Sequence, residues 1–557
     1  MEAKASRDSS SPDYETDFNA SAASKKAYEF DDLLRLVGGF GRYQMMLYGF
    51  MCLMTVPIGL QQLVLVFYGA SPSFQCAEPA STAAINNNSL CPVDECCANC
   101  TKYEFNGKFT SAVSEWDLIC GRNHLKALSQ AAYLAGLLIG SYAFSSISDH
   151  FGRKIAIFLS IAFLAGCGTV SAVADCLSLF VLFRVGAGAA AAGCLLSRFV
   201  YCMELSVTSN RTAAGFVCNM FMTLGYAILS LLAYFLRDWR HLMLAVSLPG
   251  TLLLVFWWWI PESPRWLLAN NRLDEVHSLL LKYAAKNGVT VDAKHLKHVI
   301  SEVRKADVRK DDTRKYGTLD LFRTPKLRKR IIICSFNWFV NALVYFGLTL
   351  NVKNLAGDMY VNFFILIIIE LPSALLAWFC LQRFGRRIPY CAFMLIGGVA
   401  GMLVLAVPDK PEYQPVITTL AMIGKFCILS TLLTIYVITA ELFPTVIRNI
   451  GIGVSSMMAR IGAILAPYIV LLADLPNLNK TLPLVIFGVL GVTAGIVALW
   501  LPETLFSPMP QTVEQAEAWD EDYKFYCCKR PGPKKSDKQD RTGKGETEKL
   551  CCIESHV

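Results

Sequence analysis

Glu370 and Arg460 carry opposite charges deep inside apolar runs of spanning length. Arg460 lies near the middle of the run from Asn449 to Ala473, which at ~1.5 Å per residue crosses a ~30 Å hydrocarbon core. A guanidinium at that depth costs roughly 2.5 to 3.5 kcal/mol on insertion scales, so it must face a partner or a watery cavity. Glu370, in FFILIIIELPSALLAW, comes just before Pro372, whose missing N–H loosens the helix and frees a carbonyl. Opposite charges at midplane depth on two helices describe a cavity with an anionic and a cationic wall, which suits a zwitterion. Tyr226, Trp338, Tyr345 and Tyr436 extend that reading. A quaternary ammonium has no hydrogen-bond donor and is held by aromatic faces through cation–π attraction of ~0.5 to 2 kcal/mol each. Simpler readings stand beside it: Glu370 and Arg460 could neutralise each other as a structural pair, and the aromatics could be packing. Arg184 and Arg198 in the fourth apolar run and Lys425 in the tenth are further charges in or near the apolar runs.

These residues need helices to hold them. The chain has 557 residues, 54% hydrophobic and only 17% charged, with a mean hydropathy of +0.42, too apolar for an ordinary soluble multidomain protein. Twelve apolar runs are long enough to cross a bilayer, at about 45–68, 124–147, 155–175, 177–203, 213–236, 241–260, 331–350, 359–381, 389–408, 415–438, 449–473 and 482–501. This makes the expected fold class an all-α membrane protein of twelve spans. The first 35 residues lack the pattern of a cleaved signal, so the first span is expected to direct insertion. The segment 269–330 carries 16 Lys or Arg against 8 acidic residues, which by the positive-inside rule places it, and both termini, in the cytosol. The net charge of +8 is then mostly a topology signal and gives no reason to expect nucleic acid.

The segment 69–123 falls on the opposite, oxidising side. It holds Cys76, Cys91, Cys96, Cys97, Cys100 and Cys120, an even set that predicts three disulfides, while the other fourteen cysteines read as free thiols. A zinc site on Cys96, Cys97 and Cys100 has the wrong spacing for paired ligands, and no other metal-ligand pattern occurs. Asn87 and Asn99 begin glycosylation acceptor triplets; a bridged Cys100 would block the second.

The two halves of the chain repeat one another. SDHFGRK at 148–154 is echoed by LQRFGRR at 381–387, ELSVTSNRTAAG at 204–215 by ELFPTVIRNIGIG at 441–453, and PESPRWLL at 261–268 by PETLFSP at 502–508. The offsets are 233, 237 and 241 residues, near enough to constant to mean two six-helix bundles in parallel duplication. Each landmark puts charges with Gly or Pro at a cytosolic helix end. They could act as latches of ion pairs, among Asp149, Arg153, Glu204, Arg211, Glu262 and Arg265 in one half and Arg386, Arg387, Glu441, Arg448 and Glu503 in the other. The bland alternative is that they are positive-inside anchors with incidental acids. Recurrence at matched positions favours latches.

DHFGRK, RFGRR, PESPRWLL and AELFPTVIRNIGIGVSS resemble the signature segments of the major facilitator superfamily, in its organic cation, organic anion and carnitine transporter branch, over about 40–508. His150 and Ser145 stand where that family usually has Arg and Gly, which loosens the expected first latch. By this resemblance, cation transporters share Glu370 but carry an acid where Arg460 stands, and anion transporters carry a base where Ala374 stands. Glu370, Ala374 and Arg460 together match the carnitine and zwitterion members. The resemblance implies that Arg460 meets a substrate carboxylate, and Glu370 with the aromatics the cationic end. It also implies a departure: Ile58 and Ala191 occupy places where sodium-coupled relatives have amides. Neither ligates a hard cation, which counts against sodium coupling unless Gln61 and Gln62 substitute, and no other cofactor is expected. Arg198 stands where those relatives have a small apolar residue. It would either face the cavity and favour anions or snorkel to the cytosolic end.

The expected division is a cytosolic segment 1–40, a bundle 41–268 that includes the loop 69–123, a cytosolic linker with helices 269–330, a bundle 331–508 and a disordered tail 509–557. YCCKRPGPKK and LCCIESHV in that tail carry cysteine pairs suited to acylation, and the terminal Ser555, His556 and Val557 fit a PDZ-domain ligand. No nucleophile elbow or P-loop is present, so an enzyme is not expected. The sequence therefore predicts a multi-pass plasma-membrane transporter of small organic zwitterions or cations, carnitine or a related betaine, working by alternating access. An organic anion exchanger is the alternative. A non-transporting receptor is disfavoured, because it would have no need of matched latches in both halves.

Overall fold

A computed structural model gives the fold and describes residues 30–79, 96, 100–207, 211–311, 317–355, 357–408, 410–475, 479–505, 510 and 512–518. Each of the twelve apolar runs forms a helical span, several of them in consecutive pieces. Spans 1 to 6 are Arg42–Tyr68, Cys120–Phe151, Arg153–Ala172, Leu177–Leu205, Arg211–Phe235 and Trp239–Trp258. Spans 7 to 12 are Pro325–Leu350, Met359–Phe384, Arg387–Ala406, Gln414–Leu442, Arg448–Asp474 and Leu482–Ala498. Eleven are long and apolar enough to cross a membrane, and the twelfth is shorter.

Helix ends follow local chemistry. Asp238 caps span 6 by accepting from the N–H groups of Arg240 and His241, and Asp358 caps span 8 in the same way through Tyr360 and Val361. Pro325 sits in the first turn of span 7, where its missing N–H would be unpaired in any case. Gly152 at φ +108° and Gly385 at φ +90° make the turns between spans 2 and 3 and between spans 8 and 9, a backbone that other residues rarely adopt.

Packing reproduces the duplication read from the sequence. Span 1 packs on span 5, span 2 on span 4 and span 3 on span 6; the matching pairs in the second half are spans 7 and 11, 8 and 10, and 9 and 12. The halves meet through spans 2 and 11 and through spans 5 and 8, two contacts that exchange under the same pseudo-symmetry. Small residues allow the closest approaches. An added Cβ at Gly136 or Gly140, one turn apart on span 2, would overlap the carbonyl oxygens of Val185 and Ala189 on span 4. Gly140→Val is accordingly expected to destabilise the first bundle by about 3 kcal/mol, beyond ordinary overpacking because a backbone must move. The check is a lower melting temperature and yield of monodisperse detergent-solubilised protein.

The end of the molecule bearing segment 69–123 (the loop end) carries a two-stranded antiparallel sheet, Phe74–Pro79 with Cys100–Phe105. It is stapled by disulfides Cys76–Cys100 and Cys96–Cys120. Cys91, Cys97, Asn87 and Asn99 lie outside the described residues. At the opposite, linker end, helices Leu273–Asn287 and Ala293–Asp311 fold back on the first bundle. The Asn287 side chain accepts from Tyr43 N–H and donates to the Val37 carbonyl and Gln44 Oε1, fixing the entry to span 1. The tail departs from expectation: its start is ordered as helix Val513–Ala518. Two partners on span 7 account for this, since Arg330 donates to the Ala516 carbonyl at 3.0 Å and the Lys326 N–H to Glu517 at 3.1 Å. The tail's cysteine pairs and C-terminus lie outside the described residues.

Candidate functional site

Span 8 breaks where Pro372 requires it. One helical piece ends at Ile368 and the next begins at Glu370, because Pro372 has no N–H to give the Ile368 carbonyl. The break puts Glu370 in the first turn of a helix, where the macrodipole favours an anion. Its carboxylate accepts from the Tyr345 hydroxyl at 2.8 Å and from Thr223 Oγ1, across the boundary between halves, at 3.4 Å. Its charge partner is Lys425 of span 10, with Nζ 3.5 Å from Glu370 Oε1. That ammonium also donates to Thr349 Oγ1 at 2.7 Å and lies 3.3 Å from the centroid of the Tyr345 ring. Tyr226 completes a buried nest with these groups.

Arg460 is not part of that nest. It is half-buried and turns back on its own helix, donating to the carbonyl and hydroxyl of Ser456 one turn earlier. Among the described residues it has no acidic partner. A structural Glu370–Arg460 pair is therefore excluded, and Glu370 is neutralised by Lys425 instead. Beside Arg460 stands Tyr436, exposed, with its ring 4.2 Å from Trp338; Trp338 in turn donates to Thr439 Oγ1 at 2.9 Å. Seven residues separate Trp338 from Tyr345 on span 7, so the second layer lies about 10 Å nearer the linker end. The second half thus offers a closed carboxylate, lysine and tyrosine nest and, below it, an open aromatic wall with a guanidinium.

Arg198 of span 4 does neither of the things expected of it. Arg198 is 3% exposed and donates to Cys218 Sγ at 2.9 Å, in a cluster with Tyr48, Cys52 and Cys202 between spans 1, 4 and 5. It neither faces Glu370 and Arg460 nor snorkels, because three thiols and a phenol surround it inside the bundle. Arg184 is fully buried between the Tyr68 and Tyr133 rings and takes the Gln61 side-chain oxygen at 2.8 Å. Gln61 Nε2 is given to Ser247, which leaves that amide committed. A crevice between spans 7, 9, 10 and 12, around Gly397, Gly401 and Gly488, is apolar throughout and has no charge to offer a ligand.

The landmark residues form one motif twice. Arg153 pairs with Glu204 at 3.2 Å and with Asp149 at 2.9 Å, and Ser263 donates to Glu204. Arg386 pairs with Glu441 at 3.0 Å, and Thr504 donates to Glu441. Glu262 accepts from the N–H groups of Arg153 and Lys154, capping span 3, and Glu503 does the same for span 9 through Arg386 and Arg387. Burial pushes the Glu262 carboxyl above its usual range, against the pull of those N–H groups. Arg265 stands apart. Arg265 lays its guanidinium over the Phe30 ring, 5.6 Å from the centroid, because it projects from the outer face of the short helix Pro264–Ala269. Arg387 is buried and, besides giving its N–H to Glu503, reaches the Leu501 carbonyl; Arg448 reaches the Phe443 carbonyl and lies close enough to Glu441 to interact with its charge. The Arg211 side chain lies outside the described residues.

Sequence reasoning missed a second set of contacts, which joins the halves at the loop end. Lys126 pairs with Asp474 at 3.1 Å, and Phe67 stacks on Tyr360 and meets Phe363 edge-on. Arg237 lies over the other side of this cluster, 4.7 Å from the Tyr360 centroid. The near-complete burial of Lys126 is a tertiary fact with no local signal.

Two bundles related by pseudo-symmetry around buried charges define a major facilitator fold. The chain superposes on the xylose transporter XylE of Escherichia coli in its inward open conformation with a TM-score of 0.60, at 17% identity, covering 86% of this chain and 100% of that one. A family model described as sugar (and other) transporter matches residues 82–515, and the chain belongs to that family of membrane transporters. It is 36% identical over 557 residues to the organic cation transporter protein of Drosophila melanogaster, covering 94% of this chain and 98% of that one. It is 31% identical over 532 residues to organic cation/carnitine transporter 2 of Rattus norvegicus, covering 87% and 94%. The resemblance carried by the landmark motifs holds, and the protein is a transporter and not an enzyme.

Proposed function

We propose that the protein is a plasma-membrane transporter of small organic cations and zwitterions, carnitine or a related betaine among them, with both termini cytosolic. The observation that carries this is the pairing of a seat already holding an ammonium, made of Glu370 and the Tyr345 face, with Arg460, a guanidinium that has no acidic partner among the described residues. The first would receive a cationic end and the second a carboxylate. Relatives named for organic cations and for carnitine support the same class. Contacts between the halves at the loop end agree with a state whose path opens to the linker side. Transport would proceed by rocking of the halves, and the paired landmarks at helix ends would act in gating.

Coupling to sodium is not part of this reading, since Ile58 and Ala191 offer no ligand and Gln61 already holds Arg184. The test is uptake of labelled carnitine by cells expressing the protein, with sodium present or replaced, beside Arg460→Ala. Uptake unchanged by sodium replacement and lowered roughly tenfold by Arg460→Ala is expected, the loss of one charge-assisted contact. No uptake in either buffer would favour an organic anion exchanger. Its specific support is that Lys425 cancels Glu370 and leaves Arg460 as the uncompensated charge.

A further inference from the structure

Lys425 is more closely fitted than a structural counter-ion requires. A lysine that only neutralised Glu370 would need only the carboxylate. Here the ammonium is fully buried, 3.5 Å from Glu370 Oε1, face-on to Tyr345 at 3.3 Å from its centroid, and bonded to Thr349 Oγ1 at 2.7 Å. A carboxylate and an aromatic face are what a cationic substrate seeks, and the hydroxyl adds an acceptor. Two hydroxyls of the nest are also arranged around this pair: Tyr345 donates to Glu370, and Thr349 donates to the Tyr345 carbonyl while accepting from Lys425.

We propose that Lys425 is a tethered stand-in for the cationic end of the substrate, filling the Glu370–Tyr345 seat in the empty transporter and giving way when substrate arrives. The inference rests on the proposed substrate reading and adds to it a role for a residue that reading does not use. Two consequences follow from the geometry. The stand-in competes with substrate, so apparent affinity is reduced by the fraction of time the seat is open. It also keeps Glu370 compensated when no substrate is bound, so the empty protein can swing back without an exposed or unpaired carboxylate. A transporter built this way carries out net uptake and does not depend on exchange. The lysine stem is long and flexible enough to withdraw along span 10, giving up the Thr349 hydroxyl as it leaves the seat.

The experiment uses the full chain reconstituted in liposomes, with labelled carnitine and labelled tetraethylammonium as parallel probes. Uptake into empty vesicles is compared with uptake into vesicles preloaded with the unlabelled probe, for the native protein, Lys425→Met and Thr349→Val. Lys425→Met is expected to lower the half-saturating concentration roughly tenfold and to raise the preloaded-to-empty ratio roughly tenfold. Thr349→Val keeps the lysine but removes its acceptor, and should move both quantities the same way by about threefold. A purely structural lysine would lower the amount of active protein without moving either. If Lys425→Met does not reconstitute, Thr349→Val decides alone. Native uptake with both quantities unmoved, or moved the other way, overturns the stand-in role and leaves the substrate reading in place. Absence of saturable native uptake of both probes sinks the substrate reading and this inference with it.

Discussion

Glu370→Gln is expected to reduce carnitine uptake by more than about a hundredfold and to lower the amount of folded protein at the cell surface. The substitution nearly preserves shape, and its amide oxygen can still accept from Tyr345, so packing is not the reason. Lys425 is the reason: with no solvent exposure it would keep a buried charge facing a neutral amide. Removing one partner of a buried pair destabilises by about 3 to 5 kcal/mol, chiefly because the other charge is left uncompensated. Loss of the carboxylate also removes the group that would receive the substrate's cationic end. These two effects separate in the double variant Glu370→Gln/Lys425→Met, which should recover surface protein but not carnitine uptake. An organic monocarboxylate probe, if transported, should be taken up by the double variant at close to the native rate. Equal loss of both probes there would make the nest a structural element and not a binding seat.

That prediction depends on an identity the sequence did not supply. Glu370 and Arg460 were legible because charges inside long apolar runs are rare and costly. Their depth could be counted along each helix. Their azimuth could not, since each residue turns the face by about 100° and a span end uncertain by a few residues leaves every facing open. Lys425 was visible as a buried charge, yet only the packing of spans 7, 8 and 10 selects it over Arg460 as the partner of Glu370. Arg198 shows the same limit from the other side. Its span was clear, but its burial against Cys218 depends on how spans 1, 4 and 5 converge. The spans and the duplication were easier to read, because hydropathy and a repeated motif are properties of the chain that need no knowledge of neighbours. The linker, expected to hold helices, and the tail, expected to be disordered, were legible only in part, because they are fixed by Asn287 and Arg330, single side chains whose partners lie far along the chain.

The duplicated landmarks give the second large effect, and the conservative variant is the informative one. Arg153 offers Nε and Nη2 to Glu204, and Arg386 offers Nε and Nη2 to Glu441, so each pair is a fork engaging a carboxylate and not a point charge near one. All four side chains are at most 20% exposed, which limits solvent screening. Each acid has a second, fixed ligand in Ser263 or Thr504, and each arginine's N–H is held by Glu262 or Glu503. Arg386→Ala would leave Glu441 without its forked partner, at a cost of about 2 to 3 kcal/mol once partial exposure is allowed for, and uptake should fall roughly thirtyfold or more. A positive-inside anchor makes a different demand, since it asks only for charge. Arg386→Lys and Arg153→Lys keep the charge but replace a planar fork with a single ammonium on a flexible stem. Both are therefore expected to lose most carnitine uptake per molecule at the surface while topology and surface level stay close to native. Full activity in both lysine variants would reduce the landmarks to anchors. Loss in one half alone would mean that the two copies of the motif, nearly identical in geometry, do different work as the halves move.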